Sequence, residues 1–286
     1  MLKIFFKLML CVIVYAAAFM AANALMPFSR GFRELGVSEN SMGMLFMLIN
    51  AAWVCFTIFF IIRNSHWSGV KLFLVILFVM FFIQSFMMQV ETLFFADAFF
   101  VITKTDIMLI MFAGLFPLLA ATPLLIKFFQ NRDVAAETTK IDIKSAAIKL
   151  GVIGIVYLCV YMVFGYFVAW QFEDLRLFYS GSPEKLNFFG QLVNNMKTNP
   201  AIYPFQILRG ILFGIFVLPL QNMIGKKSAF IISVCLVFLC TAAMLIIPNV
   251  LFPDTVRFAH LIEMTSSMLL FGIISGKILW GSVTKK

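Results

Sequence analysis

Long apolar runs separated by short polar segments extend along the whole chain. Eight runs are 19 residues or longer, and they cover positions 4–28, 42–62, 70–95, 107–125, 147–170, 202–224, 229–251 and 258–280. Because a helix rises about 1.5 Å per residue, about 20 residues match a hydrocarbon core of roughly 30 Å. The runs lack the alternation of a barrel strand, and lipid offers the backbone no hydrogen-bond partner. The pattern therefore predicts an all-α integral membrane protein with about eight transmembrane helices.

Composition agrees with this prediction. The 286 residues are 63% hydrophobic and 12% charged, with a mean hydropathy of +1.02, whereas soluble domains average about 25% charged residues. The chain is too poor in charge for a soluble globular protein of this length. The first run follows Lys3 and resembles a signal peptide, but its apolar part is longer than a typical signal core, so we expect an uncleaved helix.

A short motif occurs twice, which suggests two related halves. Lys7-Leu8 is followed by Val12-Ile13-Val14-Tyr15, and Lys149-Leu150 is followed by Gly154-Ile155-Val156-Tyr157, each pair offset by 142 residues. We therefore expect a first four-helix half at 1–127, a cytoplasmic connector at 128–145 and a second four-helix half at 146–286. An even number of spans per half would make the halves parallel. Within the second half, 171–201 mixes aromatic and charged residues, which favours an outer segment lying at the membrane interface.

The basic residues predict an orientation. With the N-terminus inside, 14 of the 22 Lys and Arg residues fall in cytoplasmic segments and 7 in outer ones, and Arg209 lies within a span. Since basic residues are retained on the cytoplasmic side, both termini are expected in the cytoplasm of a bacterial inner-membrane protein. The net charge of +9 then favours anionic lipid headgroups of the bilayer as a partner, and no basic segment suits a nucleic acid.

The candidate chemistry comes from ionisable and amide residues inside the apolar runs. A charged side chain at a helix centre costs roughly 2.5–3.5 kcal/mol on insertion scales, so it normally faces the protein interior or a cavity. Arg209 is the clearest case, because arginine cannot lose its proton there and needs a compensating partner. The spacing and depth of the others place them in the same leaflet, and the predicted binding set is Arg209, Glu91, Gln84, Gln206, Asn50, Glu263 and His260.

Several interpretations of this set stay open. Arg209 with Glu263 or Glu91 is an ion pair between helices that needs no ligand. His260 and Glu263 share a helix face and are the only catalytic candidates, as a general base, but a metal site would lack a second histidine and no haem or other cofactor pattern occurs. Two GxxxG spacings, Gly210–Gly214 and Gly272–Gly276, predict a close approach of the sixth and eighth runs that carry these charges.

The sequence thus predicts the structural class, a multi-span helical membrane protein, but does not identify a substrate or a reaction. The favoured function is a small-solute or ion permease with a polar site in the outer half of the membrane, where Arg209 would hold a small anionic solute or a lipid headgroup. The alternatives are an intramembrane enzyme acting on a lipid or lipid-linked substrate and a non-catalytic accessory subunit, so an enzymatic role is the less favoured expectation. No metal and no cofactor is expected.

Overall fold

Eight long apolar helices build the protein. The structure is a computed structural model that describes residues 2–35, 41–98, 102–130, 139–249, 251–281 and 283–285. Within these ranges, the structure confirms the prediction of a helical chain with eight helices long and apolar enough to cross a membrane: Leu2–Leu25, Gly43–Asn64, Gly69–Phe94, Lys104–Phe129, Ile143–Gln171, Ile202–Gln221, Lys227–Ile246 and Asp254–Leu279. We refer to them as the first to eighth spans.

Four spans change their winding along their length, among them the fifth, which is α-helical over Ile143–Phe167 and ends in a 3₁₀ turn at Ala169–Gln171. The third span runs as an α-helix from Gly69–Met80, as a π-helix over Phe81–Phe86 and again as an α-helix over Met87–Phe94. The fourth span divides at Gly114 into Lys104–Ala113 and Leu115–Phe129. The seventh span is α-helical over Lys227–Ala243 and ends in a 3₁₀ turn. π-Helical turns are frequent at functional sites, and this one carries Gln84, one of the predicted binding residues.

The spans pack both within and between the two predicted halves. The first span packs against the second and fourth, and the fifth packs against the sixth and eighth. Across the halves, the second span contacts the seventh, and the third contacts both the sixth and the seventh. Shortly after the second and sixth spans, a backbone bridge joins Ser65 to Ile224. The seventh span is the most enclosed of the eight and the first the least. The division into two related halves stays a prediction, and residues 131–138 of the predicted connector lie outside the described residues.

The glycines do not pack as the sequence suggested. A Cβ on Gly210 would lie 2.5 Å from the Cβ of Tyr157 and 2.8 Å from the Cα of Gly154, and Gly214 faces Leu150, so this pair packs against the fifth span. Gly272 and Gly276 instead face the seventh span, at Cys235 and Ile231. The expected glycine contact between the sixth and eighth spans is therefore wrong, because each GxxxG face is occupied by a different neighbour.

The segment at 171–201 folds over one face of the bundle, which we call the cap face. It contains two short helices, the first cap helix Glu173–Ser180 and the second cap helix Phe188–Thr198. Gly181 ends the first helix with a positive φ of 69°, a conformation that glycine adopts without steric cost. At the opposite face, the strands Thr139–Ile141 and Val283–Lys285 pair antiparallel.

Candidate functional site

A cavity of about 490 Å³ opens beneath the two cap helices. Among the described residues, every span except the second contributes to its wall, and both cap helices cover it. The cavity therefore lies between the two predicted halves at the cap face. Its volume falls in the range of ligand pockets, about 300–1,000 Å³, and several of its wall residues belong to the apolar core of the bundle.

The only buried guanidinium in the described spans is paired with a carboxylate from another helix. Arg209 Nη1 lies 2.7 Å from Glu91 Oε1, and Arg209 Nη2 donates to Glu91 Oε2 at 2.8 Å. The Arg209 side chain is 1% exposed and that of Glu91 is 24% exposed. Arg209 therefore joins the sixth span to the third by a two-pronged contact, the strongest geometry available to an arginine and a carboxylate. Of the two partners that the sequence allowed, the structure selects Glu91.

Further groups surround the Arg209 guanidinium, although its Nε has no hydrogen-bond partner among the described residues. Its Nη1 donates to Gln206 Oε1 at 3.0 Å and its Nη2 approaches the Met87 carbonyl at 3.4 Å. The rings of Tyr157, Phe205 and Phe213 have their centroids 5.5 to 5.8 Å from the guanidinium carbon, which adds cation–π attraction. Neither Arg209 nor Gln206 is part of the cavity wall, whereas Glu91 is. The positive charge is thus enclosed, and the carboxylate that it holds faces the cavity.

The second carboxylate of the cavity has a different environment. Glu263 is 9% exposed and lines the cavity wall. Within the described part of the chain, its sole ion-pair contact is with His260, where Nδ1 lies 3.9 Å from Oε2, a distance too long for a hydrogen bond. The sequence predicted that these two residues share a face, and they do. Arg209 is not the partner of Glu263, because it pairs with Glu91, the other partner that the sequence allowed.

A tyrosine of the cap continues this arrangement. Tyr179 Oη lies 3.0 Å from His260 Nε2, so the first cap helix is joined to the eighth span. Burial raises the pKa of the Tyr179 phenol well above its usual range, and the hydroxyl therefore keeps its proton. With the imidazole proton on Nδ1, Tyr179 donates to Nε2 and His260 presents its N–H towards Glu263. His260 thus lies between the cap hydroxyl, to which it is hydrogen-bonded, and the Glu263 carboxylate, which it approaches without a hydrogen bond.

The remaining predicted residues divide between the cavity and the interior. Gln84 lines the cavity; its amide nitrogen donates to Tyr15 Oη at 3.1 Å, while its amide oxygen has no partner in the described structure. Asn50, on the second span, is buried away from the cavity wall, and neither of its amide atoms has a partner among the described residues. The structure thus brings Glu91, Gln84, Glu263 and His260 to one cavity and leaves Asn50 apart from it.

Several polar wall residues were not indicated by the sequence. The second cap helix contributes Gln191, Asn194 and Asn195 to the wall, and the fifth span contributes Tyr157 and Tyr161. On the other side of the same cap helix, Phe189, Val193 and Met196 are exposed. Apolar residues spaced by three and four with amides between them are typical of an amphipathic helix. This periodicity in the sequence could have indicated that the amides of the second cap helix face the protein. The tyrosines carry no such signal within a uniformly apolar run.

The first cap helix is held firmly over the cavity. Arg176 is buried; its Nε donates to the Pro183 carbonyl at 2.6 Å and its Nη1 to the Trp170 carbonyl at 2.8 Å. Leu175 packs with Ala259 of the eighth span in a small apolar cluster. Arg176 therefore stabilises the cap by binding carbonyls at its two ends. Arg176 does not line the cavity.

The wall charges decide which ligands the cavity suits. Glu91 and Glu263 line it, while no Lys or Arg is found among the described wall residues. An anion would meet two carboxylates there, one of them without a strong counter-charge, and desolvated like charges repel strongly. The electrostatics therefore favour neutral or positively charged ligands over the anionic solute that the sequence suggested.

Neither a metal-binding group among the described residues nor a similar known protein identifies the function of the cavity. In the described ranges, no group of three or more His, Cys, Asp or Glu side chains is arranged to hold a metal ion. No family model, curated protein or solved structure matches the chain.

Proposed function

We propose that the protein is a solute permease that binds its substrate in the cavity at the cap face, with Glu263 as the group that responds to the substrate or to a proton. One observation carries the proposal: Glu263 is 9% exposed in the cavity wall without a lysine or arginine beside it among the described residues. Under the predicted orientation, the cavity opens to the outer side of the membrane.

The physical argument is the cost of an unpaired buried carboxylate. A buried carboxylate loses hydration, so in the absence of a fixed counter-charge it attracts a cation or a hydrogen-bond donor. Intramembrane carboxylates of this kind mark ion and proton pathways. Because a proton and a positively charged group would compete for the same carboxylate, Glu263 supplies a simple means of coupling substrate binding to proton movement.

The architecture is consistent with transport. The cavity lies where the two predicted halves meet, and the third and seventh spans of these halves pack against each other beside it. Binding at the interface of two repeats is characteristic of secondary transporters, in which one half moves against the other. The winding change at Phe81–Phe86 lies in the third span and carries Gln84, a residue of the cavity wall.

The proposal is tested by flux through purified protein in liposomes. Uptake is measured for ethidium, choline, mannitol and phosphate, with ethidium detected by DNA trapped inside the vesicles. We expect at least one of the first three to move faster than in protein-free liposomes, phosphate to show no gain, and Glu263→Gln to abolish the gain.

A matched control uses the same substitution outside the cavity. Glu184 is exposed on the cap and does not line the wall, so Glu184→Gln should transport like the unaltered protein. If none of the four probes moves faster than in empty vesicles, or if Glu263→Gln transports at the unaltered rate, the permease proposal is wrong.

The enzyme alternative is favoured by one observation, the contact of Tyr179 with His260 beside Glu263. A carboxylate next to an imidazole is suited to general base catalysis. Incubation of the protein with phospholipid vesicles, followed by mass spectrometry, would detect a changed lipid, and loss of that change in His260→Gln would favour catalysis over transport. Unchanged lipids would remove this alternative for phospholipid substrates.

A further inference from the structure

The uncompensated charge of the cavity is negative. Glu91 is neutralised by Arg209 through two contacts of 2.7 and 2.8 Å, which leaves the Glu263 carboxylate as the one wall charge without a strong partner among the described residues. Burial costs the Glu263 carboxylate part of its hydration free energy, and the Coulomb attraction of a positively charged ligand would offset that cost. A negative ligand would meet a second like charge in a desolvated site.

Unpaired acceptors in the wall point in the same direction. Gln84 is 4% exposed, and its Oε1 has no hydrogen-bond partner in the described structure, while its Nε2 is already used by Tyr15 and Met244. The Oε1 of Gln89 is likewise buried and unpaired, and both residues line the cavity. Buried polar atoms normally find partners. Two carbonyl-type oxygens without donors therefore suit a ligand with positive or hydrogen-donating character.

The rest of the wall is apolar and adaptable. Five methionines line the cavity, together with aromatic rings, and the methionines are Met88, Met162, Met244, Met264 and Met268. Methionine is flexible and polarisable and recurs at surfaces that accept ligands of several shapes. Phe95, Tyr161 and Trp170 present rings to the same space, and aromatic faces attract cations, quaternary ammonium groups included.

We infer that the cavity binds amphiphilic organic cations, with the positive charge next to Glu263 and the apolar body against the methionines and rings. This inference rests on the proposed function for the site but names its ligand class. The second cap helix provides a boundary suited to such ligands, because its amides face the cavity while Phe189, Val193 and Met196 are exposed on its other side.

Two probes of nearly the same size and opposite charge test the inference. Tetraphenylphosphonium and tetraphenylborate each place a single charge inside four phenyl rings, so they differ chiefly in sign. Binding to the detergent-solubilised protein is measured by equilibrium dialysis. We expect tetraphenylphosphonium to bind at least about 100-fold more tightly than tetraphenylborate, because like charges in a desolvated site cost several kcal/mol. Equal binding of the two, or tighter binding of tetraphenylborate, would overturn the inference.

Variants locate the charge that selects the cation. Glu263→Gln keeps the shape of the side chain and removes its charge, so tetraphenylphosphonium affinity should fall about tenfold or more, with tetraphenylborate affinity unchanged or higher. Glu184→Gln, on the exposed cap surface, should leave both affinities unchanged. A Glu263→Gln protein that binds tetraphenylphosphonium as the unaltered protein does would contradict the placement of the cation at Glu263.

The ligand class and the permease proposal fail in different ways. Selective binding of tetraphenylphosphonium without flux of any probe would support the cation site and reject transport. Flux of mannitol, with no preference for tetraphenylphosphonium over tetraphenylborate, would support transport and reject the cation class.

Discussion

Glu91 and Glu263 reach the same cavity from different helices, and their environments are opposite. Glu91 receives both prongs of a guanidinium that is itself 1% exposed, whereas Glu263 has only a histidine at 3.9 Å among the described residues. The environments of the two carboxylates differ because Arg209, on the sixth span, faces Glu91 on the third span and not Glu263 on the eighth. Two identical side chains at one site thus acquire separate roles: Glu91 joins helices, and Glu263 remains available to a ligand.

The comparison also explains why a buried charge is not by itself evidence for a binding site. The Arg209 and Glu91 pair is held by Gln206 and by the close approach of the fifth and sixth spans at Gly210. These contacts serve the pair and not a ligand. Glu263, which has no such guanidinium partner among the described residues, is therefore the better candidate for binding a ligand.

Loss of the paired carboxylate should have the largest effect. In Glu91→Gln, Arg209 stays buried without its counter-charge, and removal of one partner of a buried pair costs about 3–5 kcal/mol. Unfolding in mixed detergent and SDS, followed by circular dichroism, measures this loss. Glu34→Gln breaks the exposed pair of Glu34 with Arg30 and should cost less than about 1 kcal/mol. Similar losses in the two variants would remove the distinction between buried and exposed pairs.

The packing that positions Arg209 should come next. In Gly210→Ala the new methyl group would overlap Tyr157 and the backbone of Gly154, and overpacking costs about 1–3 kcal/mol. The matched control is Gly151→Ala, in the fifth span, where a Cβ meets nothing within 4 Å. We expect the same SDS titration to show a loss for Gly210→Ala and none for Gly151→Ala. A neutral Gly210→Ala would mean that the two spans are not in tight contact.

A smaller effect is expected at the histidine beside Glu263. Tyr179→Phe removes the hydroxyl that bonds His260 Nε2, and a hydrogen bond of this kind contributes about 0.5–1.5 kcal/mol. The substitution also removes a hydrogen bond between the first cap helix and the eighth span. Hydrogen exchange of the first cap helix, measured by mass spectrometry, should be faster in the variant. Tyr203→Phe, which removes a hydroxyl bond to Leu192 of the second cap helix, should leave exchange of the first cap helix unchanged.

The smallest effect on stability should come from the unpaired carboxylate. Glu263→Gln should change the unfolding free energy by less than about 1 kcal/mol, in the stabilising direction if at all, because a neutral amide avoids the burial of an uncompensated charge. The same variant should bind tetraphenylphosphonium about tenfold or more weakly. A Glu263→Gln protein as unstable as Glu91→Gln would show that Glu263 has a structural partner and would end the contrast between the two residues.

The spans were predictable because each is a local property. A helix in lipid satisfies its backbone within its own segment, so apolar length alone identified all eight, and the cap segment at 171–201 was recognisable from its mixture of aromatic and charged residues. Of the site, the sequence identified Glu91, Gln84, Glu263 and His260 as polar residues of one leaflet, and the structure places all four at one cavity. The glycine spacings indicated close packing but did not identify the partner helices.

The sequence alone determined where the eight apolar helices of membrane-spanning length form and which few ionisable side chains they contain. Only the tertiary structure decided that Arg209 binds Glu91, that Asn50 lies away from the cavity and that the cavity wall is acidic. The reason is that partner choice depends on how helices distant in sequence fit together, here through the contact of Gly210 with Gly154. Local hydropathy fixes where a helix forms, while the shapes of its neighbours fix what each of its faces meets.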